Sequence, residues 1–400
     1  MHIAIVLFRY KPFGGYERQA ALLADALLAR GYEVTIVSTA WEGEHNSGLH
    51  FVPVPVIKLS SWLKAWSFAR SSQAAVLSQQ PPFDLTIAFD RSLEMDIYRA
   101  GNACHESWLA TRIRNHGMKA RLSIAVNPLN RVLRHIEGKL LRHVEATKGT
   151  IVVLSAHGAR QIQDHHPVSS ERFTIIPPGV DFSRFEGQDS EAFRREQRQK
   201  LGLGEQDRLL LHVGSGFRNR KGVDRIIRAL PHLSEEAGKI RLIAIGADKK
   251  GIRKCRALAQ RLGVGHRVEF PGGVAAVGEY YAAADCFLLL SMLETFGVVA
   301  AESLWFGLPT LVGSEVGAAG LVSDERLGRI LSDATEPHEI AKVIQESIAF
   351  DQQAKDKGEF AALQKARRAS STQCDSTLVM SRYLALIEER LQDRSRVDSS

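Results

Sequence analysis

Short apolar runs recur along this chain, each followed by a turn and a stretch with helical spacing, and this alternation limits its fold more than any other feature. The first set is Ile3–Phe8, Val34–Ser38, Leu49–Val56, Leu85–Phe89 and Ile151–Leu154. Parallel strands need long crossover connections, and a helix is the usual one, so the pattern predicts a doubly wound parallel sheet. Near 173–181 the chain reads FTIIPPGVD, a strand stopped by two prolines and a glycine, and a polar stretch follows. A second set then begins: Leu209–Val213, Leu242–Gly246, Val268–Phe270, Cys286–Leu290, Pro309–Val312 and Arg329–Leu331. The expectation is an α/β chain of two Rossmann-like domains, 1–180 and 181–370. A helix near Asp375–Gln392 and a polar tail occupy 371–400.

Four cysteines (Cys104, Cys255, Cys286, Cys374) carry no CxxC spacing, which suits reduced thiols better than a disulfide framework or a zinc site. No stretch is long and apolar enough to span a bilayer, and the first apolar run is shorter than a signal-peptide core. A cytoplasmic location is therefore expected. The formal net charge is +7, and the segment 99–142 carries that whole excess, with nine Lys or Arg against two acids. Such a localised surplus points to a partner surface.

Three stretches carry chemistry. Gly14-Gly15 follows the first strand and leads into a helix with Tyr16, Ala20, Leu23 and Leu27 on one face. Without Cβ atoms that backbone can approach a phosphate or sugar, although a simple turn would use glycine too. GxGxxG is absent, so the turn is not a dinucleotide fingerprint. In HVGSGFRNRKGVDR, 212–225, Arg220-Lys221 stand just before a helix, either as a diphosphate clamp or as a solvated basic loop. MLETFGVVAAESLWFGLPTL, 292–311, is the most specific. It sets Glu294 in a loop and Glu302 eight residues on in a helix, and two carboxylates so placed can hold several hydroxyls.

The glutamate pair with its Gly-Leu-Pro exit, and Arg220-Lys221-Gly222 upstream, resemble glycosyltransferase family 4, the retaining GT-B enzymes that use nucleotide-sugar donors. FRYKPFGGYER, STAWEGE and IIPPGV are similar to the lipopolysaccharide core glucosyltransferases of Gram-negative bacteria. The resemblance implies two domains facing a central cleft, with the last helix crossing back to the first domain. It implies a UDP-hexose donor and a lipid-anchored heptose acceptor. Arg220 and Lys221 would bind the diphosphate, Glu302 the ribose hydroxyls and Glu294 the transferred sugar. The N–H groups of Phe296, Gly297 and Val298 would cap sugar and phosphate, and Gly14 and Gly15 would admit the diphosphate and acceptor. Asp96, in FDRSLEMD, matches an acidic position near the reaction centre, with His105 as the weaker substitute for a histidine found there in many members.

No DxD motif occurs, so neither a metal nor any other cofactor is expected. Rival readings are a family 4 transferase acting on another surface glycan, a nucleotide-sugar epimerase on the same fold, and a non-catalytic sugar- or membrane-binding module. In the basic segment, Val132, Leu133, Ile136, Leu140 and Val144 share a helical arc, with Arg131, Arg134, Lys139 and Arg142 mostly opposite. Such a helix could lie on the anionic inner leaflet, making 99–144 the site of peripheral membrane association, or it could simply be packed. Nucleic acid is not expected, because no aromatic set interleaves the charges.

Overall fold

A computed structural model describes residues 1–398 apart from 11–14, 44–46, 215–219 and 235–238. Two compact units result, Met1–Gly179 with Thr377–Ser400, and Val180–Ser376.

The first unit runs β1 (His2–Val6), α1 (Gly15–Ala29), β2 (Glu33–Ser38), β3 (Leu49–Pro53), α2 (Ser61–Leu77) and β4 (Leu85–Ala88). It continues through β5 (Ile97–Ala100), α3 (His105–Val126), α4 (Pro128–Ala146), β6 (Thr150–Val153), α5 (Ala156–Gln163) and β7 (Phe173–Ile175). The seven strands are all parallel in the order β3-β2-β1-β4-β5-β6-β7. Because side chains alternate across a strand, β1 feeds two cores. Ile3 and Ile5 pack on one face with Ala20, Leu23 and Leu27 of α1, while Ala4 and Val6 meet Phe68 of α2 and Ile136, Leu140 and Val144 of α4 on the other.

The second unit contains α6 (Glu191–Lys200), β8 (Arg208–Val213), α7 (Val223–Ala229), β9 (Ile240–Ile245), α8 (Lys249–Arg261), β10 (Val268–Gly272) and α9 (Val277–Ala283). Then come β11 (Cys286–Leu289), α10 (Val298–Trp305), β12 (Thr310–Gly313), β13 (Gly328–Leu331), α11 (Pro337–Asp356) and α12 (Phe360–Ser371). Its six parallel strands are ordered β10-β9-β8-β11-β12-β13. A buried ion pair, Arg367 to Asp351, ties α12 to α11, and the same guanidinium donates to the Gly307 and Arg326 carbonyls. The last helix, α13 (Ser376–Asp398), returns to the first unit, where Val379, Tyr383 and Ile387 join the core beside β1 and α1.

In both sheets the strand order reverses beside the first strand of the unit, between β1 and β4 and between β8 and β11. Ligands of open parallel sheets bind beyond the carboxyl ends of the strands at such a switch point. The strand β5 is absent from the sequence expectation, since Arg99 interrupts its four residues, IYRA. The apolar arc of α4, one reading of which was a bilayer contact, is instead core: Ile136, Leu140 and Val144 are at most 2% exposed.

Candidate active site

Arg220 and Lys221 leave the carboxyl end of β8 and reach the loop after β11, its neighbour at the switch point. Gly222 makes this approach possible. Its φ is +73°, and a Cβ there would stand 2.0 Å from the Leu290 carbonyl oxygen at the end of β11. The Met292 N–H donates to the Arg220 carbonyl at 2.9 Å, strapping the two loops together. Lys221 Nζ then forms an ion pair with Glu294 Oε2, both side chains being about 15% exposed. The Glu294 loop is itself laddered onto 315–318, its N–H donating to the Glu315 carbonyl and its carbonyl accepting from the Gly317 N–H, each at 3.0 Å.

Gly297, at φ +91°, turns this loop into α10, where a Cβ would meet Leu289 Cδ2 at 2.7 Å. The first N–H groups of a helix have no partner within it, so the Phe296–Val298 turn provides donors beside Glu294. One turn further along α10, Glu302 is 5% exposed. Its Oε2 accepts from the Tyr281 hydroxyl at 2.9 Å, and its Oε1 pairs with Arg184. Burial pushes the Glu302 carboxyl up, against the opposing effects of Arg184 and the Tyr281 hydrogen bond. Phe185, Tyr281 and Phe306 pack as an aromatic base beneath it.

Arg184 is missed by the sequence reading, since nothing local marks a residue 118 positions from its partner. Removing it would leave a buried carboxylate without its counter-charge. Arg184→Ala is expected to cost about 2 kcal/mol, a value kept low because the Arg184 side chain is 42% exposed. Arg184→Ala with Glu302→Gln should recover most of that loss in urea unfolding at pH 7. A double variant no more stable than Arg184→Ala would show that the pair is not coupled.

His212, also unanticipated, lies fully buried on β8 with Nδ1 2.9 Å from the Leu288 carbonyl. Burial first, and then the nearby Lys221, push its pKa down from 6.5 to about 4. Between those values the unfolded chain binds a proton that the folded chain refuses, so stability present above pH 6.5 is lost as the pH falls. The loss should reach roughly 3 kcal/mol near pH 4. Urea unfolding of the second unit should show it between pH 7.5 and 4.5, and His212→Gln should flatten that dependence.

In the first unit Gly15 opens α1, and Gly14 lies outside the described residues. Asp96 requires a correction. It sits at the amino end of β5, opposite the edge where parallel sheets bind ligands, and its Oδ2 accepts the Thr86 N–H at 2.8 Å. Arg394 of α13 covers it, with Nη1 3.0 and 3.1 Å from its two oxygens. These contacts make Asp96 a strand anchor. The acid at the carboxyl end of β4 is Asp90, whose Oδ2 accepts the Phe8 N–H at 2.7 Å across the switch point. His105, at the start of α3 beyond the carboxyl end of β5, is 7% exposed with its pKa lowered by burial and then by Arg91. Its backbone N–H donates to Glu137 Oε2 at 2.7 Å. The missing CxxC spacing gives no hint of one cluster: the donor atoms of Cys104, Glu137 and His166 lie within 4.8 Å of one another. Glu137 pairs there with Arg91 at 3.1 Å, and burial pushes the Cys104 thiol up to about 11.

Comparison with known proteins fits this geometry. Residues 13–184 match the family description Glycosyltransferase Family 4, and residues 193–363 match Glycosyl transferases group 1. The lipopolysaccharide glucosyltransferase WaaG of Escherichia coli (strain K12) is 31% identical over 350 residues, covering 87% of this chain and 90% of that protein. The chain is a family 4 glycosyltransferase. The family 4 enzyme superimposes on a WaaG crystal structure with a TM-score of 0.74 at 27% identity, over 96% of this chain and 99% of the other. At 18% identity the Anabaena protein HepE, solved with UDP and glucose, shares the fold with a TM-score of 0.65 over 97% of this chain and 100% of that one. The two parallel sheets are those of a GT-B enzyme, and family 4 is a retaining family.

Proposed function

We propose that this enzyme transfers glucose or a similar hexose from a UDP-sugar to an inner-core heptose of lipopolysaccharide, with retention of configuration. The observation that carries the reading is the junction of Lys221 with Glu294 beyond β8 and β11, with buried Glu302 one turn behind. A cation beside a sugar-binding carboxylate suits a leaving diphosphate next to the transferred ring, and Glu302 suits ribose hydroxyls. The likeness to WaaG supports a lipopolysaccharide acceptor.

The chemistry follows as a front-side displacement. The bond from the sugar C1 to the diphosphate oxygen breaks while the acceptor oxygen bonds to C1 on the same face. The acceptor proton passes to the departing diphosphate, whose growing charge Arg220 and Lys221 stabilise. In the first unit, Asp90 replaces Asp96 as the acid offered to an acceptor hydroxyl. Charge on the leaving group is met by side chains, so the reading requires no metal.

The same reading places the enzyme peripherally on the anionic cytoplasmic face of the inner membrane. Among the described residues no helix is long and apolar enough to cross a membrane. The sequence 99–144 supports contact through α3, not through α4. Met118, Leu122 and Val126 stand four residues apart and are 66–73% exposed, with Lys119 and Arg121 among them. Incubation with UDP-glucose and heptose-terminated lipopolysaccharide, followed by NMR of the product, tests the function. An α-linked hexose on heptose is expected. Transfer only to another glycan would favour the first rival, and interconversion of the UDP-sugar without transfer would favour an epimerase.

A further inference from the structure

The helix α2 carries apolar residues on both sides. Its inner face is accounted for: Phe68, Ala69 and Val76 join the core shared with α4 and β1. The outer face should then be polar, as it is on most surface helices. Instead Trp62 and Trp66 are 37% and 43% exposed, Leu77 at the carboxyl end of the helix is 61% exposed, and Leu59 just before its Ser60 cap is 88% exposed. At 100° per residue Trp62, Trp66 and Leu77 fall within one narrow arc, so they form a stripe along the helix.

Along the chain, the charge flanking the stripe has one sign. Between Glu44 and Asp84 the chain has no acidic residue, and of its three Lys and Arg residues Lys58 and Arg70 are left to the stripe, since the Lys64 ammonium lies over the Phe8 ring, 4.4 Å from its centre. Arg70 lies over the Trp66 ring, 5.8 Å from its centre. Exposed tryptophans beside leucine, with Lys58 and Arg70 close by in the chain, match the chemistry of an anionic bilayer surface, where indole rings settle at headgroup depth and basic side chains meet phosphates. A sugar-stacking platform would need aromatics only around one ring. Here the stripe runs from Trp62 to Leu77, about 22 Å at the helical rise.

We propose that the outer face of α2 is a second membrane contact, which docks the first unit on anionic lipid through Leu59, Trp62, Trp66 and Leu77. The inference rests on the peripheral membrane reading, and it adds an element outside the basic segment. Both α2 and α3 pack against α4, so the two contacts would belong to one unit. Insertion of the two indoles would give the contact its apolar share, and Lys58 and Arg70 its preference for anionic headgroups.

The test uses the full chain with vesicles of phosphatidylcholine alone or mixed with phosphatidylglycerol, some carrying brominated acyl chains. Binding is followed by sedimentation and insertion by quenching of tryptophan emission. Trp62→Ala with Trp66→Ala is expected to weaken binding to the anionic vesicles by about tenfold or more. Brominated lipid should quench the wild type strongly and the double variant weakly. Quenching in the unaltered protein needs no variant to fold. If wild type binds but is not quenched, or the double variant binds equally well, the α2 contact is wrong while the α3 reading stands. If wild type ignores anionic vesicles altogether, the membrane reading fails and this inference with it. Tryptophan emission shifted by the free core oligosaccharide, with no effect of vesicles, would assign the face to glycan and overturn the proposal.

Discussion

Lys221→Ala is expected to lower kcat/KM for hexose transfer by about a thousandfold, near the top of the range for removing one preorganised charge from a transition state. Lys221 is held in place by its surroundings. Gly222 lets its loop close on the end of β11, the Met292 N–H holds the Arg220 carbonyl, and the ammonium meets Glu294. Truncation also leaves Glu294 without its cation, at a place where its charge would repel the diphosphate. UDP affinity should fall less than kcat/KM, because the interaction strengthens as the bond to C1 breaks. Lys221→Arg should recover only part of the rate, since a guanidinium keeps the charge but not the compact geometry. Alanine variants within threefold of wild type would remove Lys221 from the chemistry.

The second large effect separates two aspartates six residues apart in one stretch, FDRSLEMD. Asp90→Asn is expected to lower kcat/KM by about a hundredfold while leaving UDP binding unchanged, because its carboxylate stands at the β1–β4 switch point. Asp96→Asn should leave kcat/KM within a few-fold of wild type and lower stability by about 1–2 kcal/mol, through its bonds to Thr86 N–H and Arg394. Steady-state kinetics and thermal unfolding of both variants decide the matter. The opposite pattern, with Asp96→Asn inactive and Asp90→Asn normal, would restore the sequence assignment.

That assignment shows what a sequence can and cannot carry. The two sheets were legible because buried parallel strands are continuous apolar runs, as in IAIV of β1 and RLLLHV of β8. The donor-side residues were legible because glycine, basic and acidic residues cluster just after strands β8 and β11. Asp96 was misplaced for a physical reason. Arg99 hides β5, and without that strand FDRSLEMD looks like one loop at the carboxyl end of β4. With β5 starting at Ile97, the same loop crosses to the amino edge before Asp96. The α4 arc misled in another way: a helix with one apolar and one basic face looks alike whether the apolar face meets a core or a bilayer. Arg184 and Tyr281 had no signal, since their common partner Glu302 is far away in the chain.

Titration calorimetry with UDP-glucose, UDP-galactose and UDP-N-acetylglucosamine, on wild type and Glu294→Ala, tests whether Lys221 and Glu294 form a nucleotide-sugar site. One donor should bind wild type more tightly than the others and lose that preference in Glu294→Ala, while UDP itself still binds. Silence with every donor and with UDP would contradict it, because the Arg220-Lys221 pair would then not be a diphosphate site.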